Sequence, residues 1–301
     1  MKARALIVGA TGFSVRHMVE FCLGEGLRVY GAARRMPDHP ITHPRFEFLR
    51  CDVTSARQPP RLIQRVRPTH LMTLVSSHEL TAARNLVEVA ASRFPSTKVL
   101  LVGSCAAYGV VASRHQPVSE RHPLRPVSPY GRAKLSLERL GLRMHQQRGA
   151  LVYVARTFNL IGPGQPRGFV AADVVAQYRA WQAGPRRAPP AIRLADPGMR
   201  RDFLDVRDAV CAYWAILQQG QPARPYNVCS GRGHAVSALP RVVDRLLHVS
   251  ARLKQHSRPA PSRSRLVRQM IGSNRRLRRE TSWRPRIPLE TSLQDMLEPR
   301  G

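Results

Sequence analysis

The chain has 301 residues, 43% of them hydrophobic, which allows a sizeable core in one large domain or in a large and a smaller one. No apolar run approaches the roughly 18 residues needed to cross a bilayer, so no membrane partner is expected. Lysine and arginine together number 49 against 19 acidic residues, a formal net charge of +30. Only Lys2, Lys98, Lys134 and Lys254 are lysines, and the arginines are spread along the whole chain without a nucleic-acid-binding motif. The bias therefore reads first as a compositional effect, second as attraction for an anionic substrate, and last as nucleic-acid binding. Cys22, Cys51, Cys105, Cys211 and Cys229 are odd in number and lack metal-ligand spacing. No metal site and no disulfide framework are expected, and a reducing, cytoplasmic location follows.

Met1-Lys2-Ala3-Arg4 followed by Ala5-Leu6-Ile7-Val8-Gly9 is too short an apolar stretch for a secretory signal and reads as a first buried strand. Candidate strands then follow at Ala5–Val8, Leu27–Ala32, Phe46–Leu49, Leu71–Val75, Val99–Val102 and Leu151–Val154. Between them, Val15–Gly24, Leu80–Ala91 and Tyr130–Gln147 carry apolar residues at helical spacing. Such alternation predicts an α/β chain of Rossmann type, with a doubly wound parallel sheet. The Pro-rich stretches Pro117–Pro129 and Pro163–Gly168 fall after strand ends, where active-site loops belong. Beyond residue 165 the pattern changes to a helix, Val170–Gln182, and shorter elements. The expected division is a dinucleotide-binding domain over 1–165 and a smaller mixed α/β lobe over 166–301, with some of its elements returning to the first domain.

Gly9-Ala10-Thr11-Gly12-Phe13 lies between the first strand and its helix. Glycines there let backbone approach a pyrophosphate, whose charge then sits at the helix N-terminus. Gly9, Thr11, Gly12 and Phe13 are accordingly candidate cofactor contacts. Val15 stands where a third glycine is usual, which predicts looser helix–strand packing. The second strand ends in Arg34-Arg35 instead of the acid that would hold an NAD ribose. Two guanidiniums suit a 2′-phosphate, so NADP(H) is expected ahead of NAD(H), with Asp52 and Val53 beside the adenine.

Tyr130 and Lys134 are four apart and share a helix face, and Ser104 closes the fifth strand at the edge where ligands bind. An ammonium beside a phenol favours phenolate and is expected to lower its pKa toward working pH, making Tyr130 a proton donor–acceptor. Ser104 would hydrogen-bond the same substrate oxygen. Lys134 and Tyr130 are also candidate cofactor contacts.

With these motifs the chain resembles the extended short-chain dehydrogenase/reductase family of nucleotide-sugar epimerases, dehydratases and reductases, over nearly its whole length. Further matching blocks are Arg156-Thr157-Phe158-Asn159-Leu160-Ile161-Gly162-Pro163-Gly164-Gln165, Phe169-Val170, Arg201 through Asp208, Tyr226 through Gly231, Arg276-Leu277 and Trp283-Arg284-Pro285. The resemblance implies that Asn159, Val170, Arg201 and Arg263 bind substrate. Asn159 would meet the sugar or its phosphate, and Arg201 and Arg263 the diphosphate. The alternative for Arg201 is an ion pair with Asp202 or Asp205. Two departures stand out: Val75-Ser76-Ser77-His78 is shorter than in the family, and Leu266 replaces a ribose-holding acid. A possible homodimer is likewise an implication of the family.

Dehydratases of the family carry an acid just after the Ser/Thr, whereas this chain reads Ser104-Cys105-Ala106. With Arg34-Arg35, this favours an NADPH-dependent reductase of a nucleotide-linked 4-keto sugar, a GDP-sugar ahead of others. A nucleotide-sugar epimerase and a non-catalytic dinucleotide-binding scaffold are the alternatives.

Overall fold

A computed structural model of the chain describes residues 3–9, 12–37, 39–55, 57–74, 80–185, 188–255 and 267–298. Seven parallel strands form the main sheet: β1 (Arg4–Val8), β2 (Arg28–Ala33), β3 (Phe46–Arg50), β4 (His70–Thr73), β5 (Lys98–Ser104), β6 (Val152–Thr157) and β10 (Pro225–Val228). Their order is β3-β2-β1-β4-β5-β6-β10. The order reverses between β1 and β4, so a crevice opens beyond the carboxyl ends of the strands there.

Strand periodicity explains why both faces are covered. Ala5 and Ile7 of β1 point into one apolar cluster while Leu6 and Val8 point into another, and all four are fully buried. Helices α1 (Phe13–Gly24) and α6 (Val206–Gln219) supply Met18, Val19, Tyr213 and Ile216 to the first cluster. Helices α2 (Gln58–Val66), α3 (Leu80–Arg93) and α4 (Pro129–Arg148) supply Leu62, Ile63, Leu86, Leu137 and Leu140 to the second. Helix α2 was not expected from the sequence. Pro59 and Pro60 lie in its first turn, where a missing N–H costs no intrahelical bond, and Leu62, Ile63 and Val66 bury its inner face.

Helix α4 carries Tyr130 and Lys134, and its start is tightly defined. Ser128 caps it by accepting from Gly131 N at 3.0 Å, and Pro129 opens it. A Cβ on Gly131 would lie 2.5 Å from the Ala106 carbonyl oxygen, so only glycine lets the helix sit this close to the turn after Ser104.

The remaining elements build a smaller sheet around β9 (Arg200–Asp205). It pairs with β7 (Asn159–Ile161), β11 (Gly233–Ala235) and β13 (Gln269–Met270), while β8 (Ala191–Leu194) pairs with β12 (Arg252–Gln255). Helices α5 (Val170–Ala183), α7 (Ala238–Leu247) and α9 (Leu289–Leu297) close a third apolar cluster that includes Tyr178, Phe203, Leu239 and Leu293. Helix α8 (Arg275–Glu280) packs beside β10. Among the described residues no helix is long and apolar enough to cross a membrane, and no group of three His, Cys, Asp or Glu residues could hold a metal ion.

Candidate active site

Two clefts adjoin along the carboxyl edge of the main sheet and share Gly9 and Arg34. One, of about 790 Å³, lies over β1, β2 and β3; the other, of about 730 Å³, reaches from α1 to α4 and β7. At their junction the glycine turn is closed by Gly9 N on Ala32 O (3.0 Å) and Gly12 N on Gly9 O (2.9 Å). Gly9 sits at φ +96°, a left-handed conformation that a side chain would strain. Helix α1 starts at Phe13 with neither a side-chain cap nor an acidic residue in its first turn, leaving its amide donors to a ligand anion. Thr11 lies outside the described residues. Val15 fits without slack: it is 1% exposed, within the core that includes Met18 and Val19. The expected loosening of α1 is therefore not seen, because the space opposite Gly12 is filled by Val15 itself, 3.4 Å from where a Gly12 Cβ would stand.

The first cleft brings together Arg34, Arg35, Asp52 and Val53 as expected, and adds Arg50 and Gln58. Asp52 is fixed by Thr54, whose hydroxyl and amide donate to it at 2.7 and 2.9 Å. These bonds, with the charge of Arg34, hold its carboxyl below the usual range. Arg50 went unnoticed in the sequence because its position at the end of β3 acquires meaning only when β3 lies beside β2.

The second cleft brings together Gly9, Gly12, Phe13, Ser104, Tyr130, Lys134 and Asn159. Lys134 is 4% exposed, donates to Val102 O at 2.9 Å and lies 5.8 Å from the Tyr130 ring centre. Ser104 Oγ accepts from Ala106 N at 3.2 Å and shares a hydrogen bond with the Tyr130 phenol. The phenol's pKa nevertheless lies above its ordinary value. Burial of the group in the cleft raises it, and this outweighs the lowering effect of the Ser104 bond. The downward shift expected from Lys134 is thus not the state of the free site. Burial, and then the charge of Asp202, push the thiol of Cys105 beside them up to about 12, which disfavours the thiolate.

Two predicted substrate residues, Val170 and Arg201, are not among the residues lining the cleft. Val170 opens α5, while its neighbour Phe169, 53% exposed, lines the cleft. Arg201 on β9 donates to the carbonyls of Arg200 (2.9 Å) and Arg268 (3.3 Å) and touches the Met199 sulfur. It has no ion pair among the described residues, and burial lowers its pKa. The alternative pairing with Asp202 or Asp205 is not formed. Asp202 instead accepts from Ser230, Gly231 and Gly272, and Asp205 pairs with Arg207. A half-buried guanidinium with no direct ion pair among the described residues, and only the more distant charge of Asp196 to offset it, suits an anion. Arg263 and Leu266 lie outside the described residues.

Gln165 was missed as a site residue. It lines the cleft, its Nε2 donates to Leu160 O at 2.6 Å, and its Oε1 is buried without a partner. An orphaned acceptor inside a cleft fits a ligand donor. Also unforeseen is a buried polar chain behind α4. Arg156 pairs doubly with Glu138, at 3.0 and 2.5 Å, and donates to Tyr108 Oη at 3.0 Å. Tyr108 donates in turn to Asn227 Oδ1 at 2.7 Å, and Asn227 N donates to Glu120 at 2.9 Å.

The NAD dependent epimerase/dehydratase family model matches residues 5–229. GDP-6-deoxy-D-mannose reductase of Pseudomonas aeruginosa is 30% identical across 99% of this chain and 97% of its own length. GDP-mannose 4,6-dehydratase of Vibrio cholerae is 26% identical across 74% of this chain and 66% of its own. Among solved structures, RMD from Pseudomonas aeruginosa complexed with NADPH superposes with a TM-score of 0.80 at 27% identity, covering 99% of this chain and 97% of that one.

Proposed function

We propose, for a chain that belongs to the NAD dependent epimerase/dehydratase family, that it is an NADPH-dependent reductase of a nucleotide-linked 4-keto-6-deoxy sugar, converting GDP-4-dehydro-6-deoxy-D-mannose to GDP-D-rhamnose. The observation that carries this reading is the chemistry of the second cleft. Ser104, Tyr130 and Lys134 meet there, and no carboxylate is among the described residues that line it. Elimination of water from a sugar needs such an acid; ketone reduction needs only a hydride and a proton. Likeness to a reductase over nearly the full length supports the same choice.

The chain fits a dinucleotide on its own residues. The glycine turn and the uncapped start of α1 suit a pyrophosphate, Arg34, Arg35 and Arg50 suit a 2′-phosphate, and Asp52 and Val53 flank the adenine end. Thr11, between Gly9 and Gly12 in the sequence, would add a hydroxyl donor for the same pyrophosphate. A reduced nicotinamide, when bound, supplies the hydride. Tyr130 gives its proton to the carbonyl oxygen as that oxygen gains charge, and Ser104 orients the oxygen by hydrogen bonding. Lys134 keeps a positive charge beside the phenol once the proton has left. Asn159 and Gln165 offer amide groups to the sugar. Arg201 serves the diphosphate side, with Val170 at the start of α5 and Arg263 as the second guanidinium that the resemblance implies for the same group. Three of the five cysteines are buried and all are free, in keeping with a reducing cytoplasm.

NADPH consumption by the purified protein, assayed with GDP-, dTDP- and UDP-linked 4-keto sugars, tests the reading. Stoichiometric oxidation, fastest with the GDP sugar, is expected. Interconversion of sugars without net NADPH loss would make the protein an epimerase, and cofactor binding without turnover would make it a scaffold. Sedimentation of the same sample checks the homodimer that the resemblance implies.

A further inference from the structure

A third concavity, of about 420 Å³, lies away from the catalytic crevice and is walled by arginines. Arg121 approaches from the loop before α4, Arg224 from the turn before β10, and Arg275, Arg276 and Arg279 from α8, with Ser119 and Ser273 between them. Among the described residues two carboxylates serve these five guanidiniums, Glu280 and Glu120, the latter itself in the wall of the hollow. Glu280 pairs with Arg224 and with Arg279, each at 3.0 Å, and Glu120 lies 3.8 Å from Arg276. Arg121 and Arg275 have neither an ion pair nor a hydrogen bond among the described residues. Positive charge is thus gathered around a hollow beyond what the neighbouring acids neutralise.

In so basic a chain, arginine clusters arise from composition alone, and two observations set this one apart. The first is rigidity. The segments that carry Arg121 and Arg275 are tied by Val118 N on Ile271 O (2.8 Å) and Ser273 N on Val118 O (2.9 Å). Asn227 Nδ2 then donates to both Val118 O (2.9 Å) and Ser273 O (3.3 Å), so the two arginines stand on a fixed frame. The second is the neighbouring cleft of about 600 Å³, which shares Pro117, Ser119 and Arg121 with the hollow. Its walls are ring-like and mostly apolar, with Val110, Pro123, His115 and His122, the two imidazoles meeting edge to face at 5.8 Å. Guanidinium forks match phosphate oxygens in pairs, and walls of imidazole, proline and aliphatic side chains suit the flat, largely apolar faces of a base.

The geometry points to a second nucleotide site, in which the arginine hollow takes a di- or triphosphate and the adjoining cleft takes the base. It is separate from the dinucleotide crevice and shares none of its lining residues.

Calorimetric titration of the full-length protein, saturated with NADPH and GDP so that the crevice is filled, tests this with inorganic pyrophosphate, inorganic triphosphate and ATP as probes. Each is expected to bind, ATP at least tenfold more tightly than inorganic triphosphate. Arg121→Gln/Arg275→Gln is expected to weaken ATP at least tenfold and leave NADPH affinity unchanged. Arg139→Gln/Arg143→Gln removes the same charge from the exposed face of α4 and is expected to leave ATP binding intact. No binding to the saturated protein, or equal losses in both double variants, overturns the site. Equal affinity for ATP and inorganic triphosphate overturns the assignment of a base to the adjoining cleft.

Discussion

The two ends of the crevice are built on opposite principles. At the catalytic end nearly every polar group is anchored: Lys134 on Val102 O, Ser104 on Ala106 N, and α4 itself on a buried chain from Glu138 through Arg156, Tyr108 and Asn227 to Glu120. At the other end Arg34, Arg35 and Arg50 are exposed at strand ends, beside an Asp52 held by Thr54. Proton transfer needs donor and acceptor within a few tenths of an ångström, which buried hydrogen bonds can impose. Recognition of a phosphate charge tolerates looser geometry, because Coulomb attraction falls off slowly with distance. Substitutions at the anchored end should therefore act on turnover and stability, and those at the exposed end on cofactor affinity.

The largest effect is expected from Tyr130→Phe. Loss of the proton donor should lower kcat by about 10²- to 10⁴-fold while NADPH binding, followed by fluorescence, stays as in the parent protein. The pH profile of the parent sharpens the point. Reduction uses the protonated phenol, and burial holds the phenol's pKa above its ordinary value. Turnover should therefore stay level through neutral pH and decline only on the alkaline side of the ordinary phenol range. A decline already near neutrality would show that Lys134 and the bound cofactor together reverse the effect of burial.

Next in size is Arg156→Met. It strands the Glu138 carboxylate, 3% exposed, without its partner, which should cost about 3–5 kcal/mol of stability in chemical denaturation. Glu138→Leu/Arg156→Met removes both charges and should recover most of that loss. If the pair also positions α4, kcat in this stable double variant stays low while KM for NADPH holds. Full activity would mean that the catalytic end needs no such bracing.

How much of this contrast could be read beforehand depended on how local each signal is. β1, β4, β5 and β6 are largely buried and rich in apolar residues, β2 and β3 less so, and the sequence located each to within a few residues; likewise α1, α3, α4 and α5. Tyr130 and Lys134 announce themselves because one helix turn sets their spacing, and Ser104 because it ends a strand. The bracing chain gives no such signal. Glu138 and Arg156 are 18 residues apart on different elements, and Tyr108 and Asn227 meet across 119. β10 is only four residues long and joins the main sheet by pairing with β6, which no local pattern encodes. Helix α2 was hidden by Pro59 and Pro60, which read as breakers until their first-turn position is known. For the Tyr130 phenol the Lys134 charge is visible in sequence, whereas the desolvation that raises its pKa in the free site is not.

The smallest effect tests the exposed end. Arg34→Ala/Arg35→Ala removes two of the three guanidiniums around the first cleft and leaves Arg50 in place. Charge-assisted hydrogen bonds to a phosphate contribute about 1.5–3 kcal/mol each when well formed, and exposed ones less. NADPH affinity should then fall about 10- to 100-fold, while NADH, which lacks the 2′-phosphate, should bind much as before. The parent protein's preference for NADPH should also shrink as salt rises, since exposed charges are screened within about 8 Å at physiological ionic strength. Equal losses for the two cofactors would mean that the arginines support the fold of the β2–β3 edge. Unchanged NADPH affinity would hand the phosphate to Arg50 at the end of β3, and Arg50→Ala would then produce the drop.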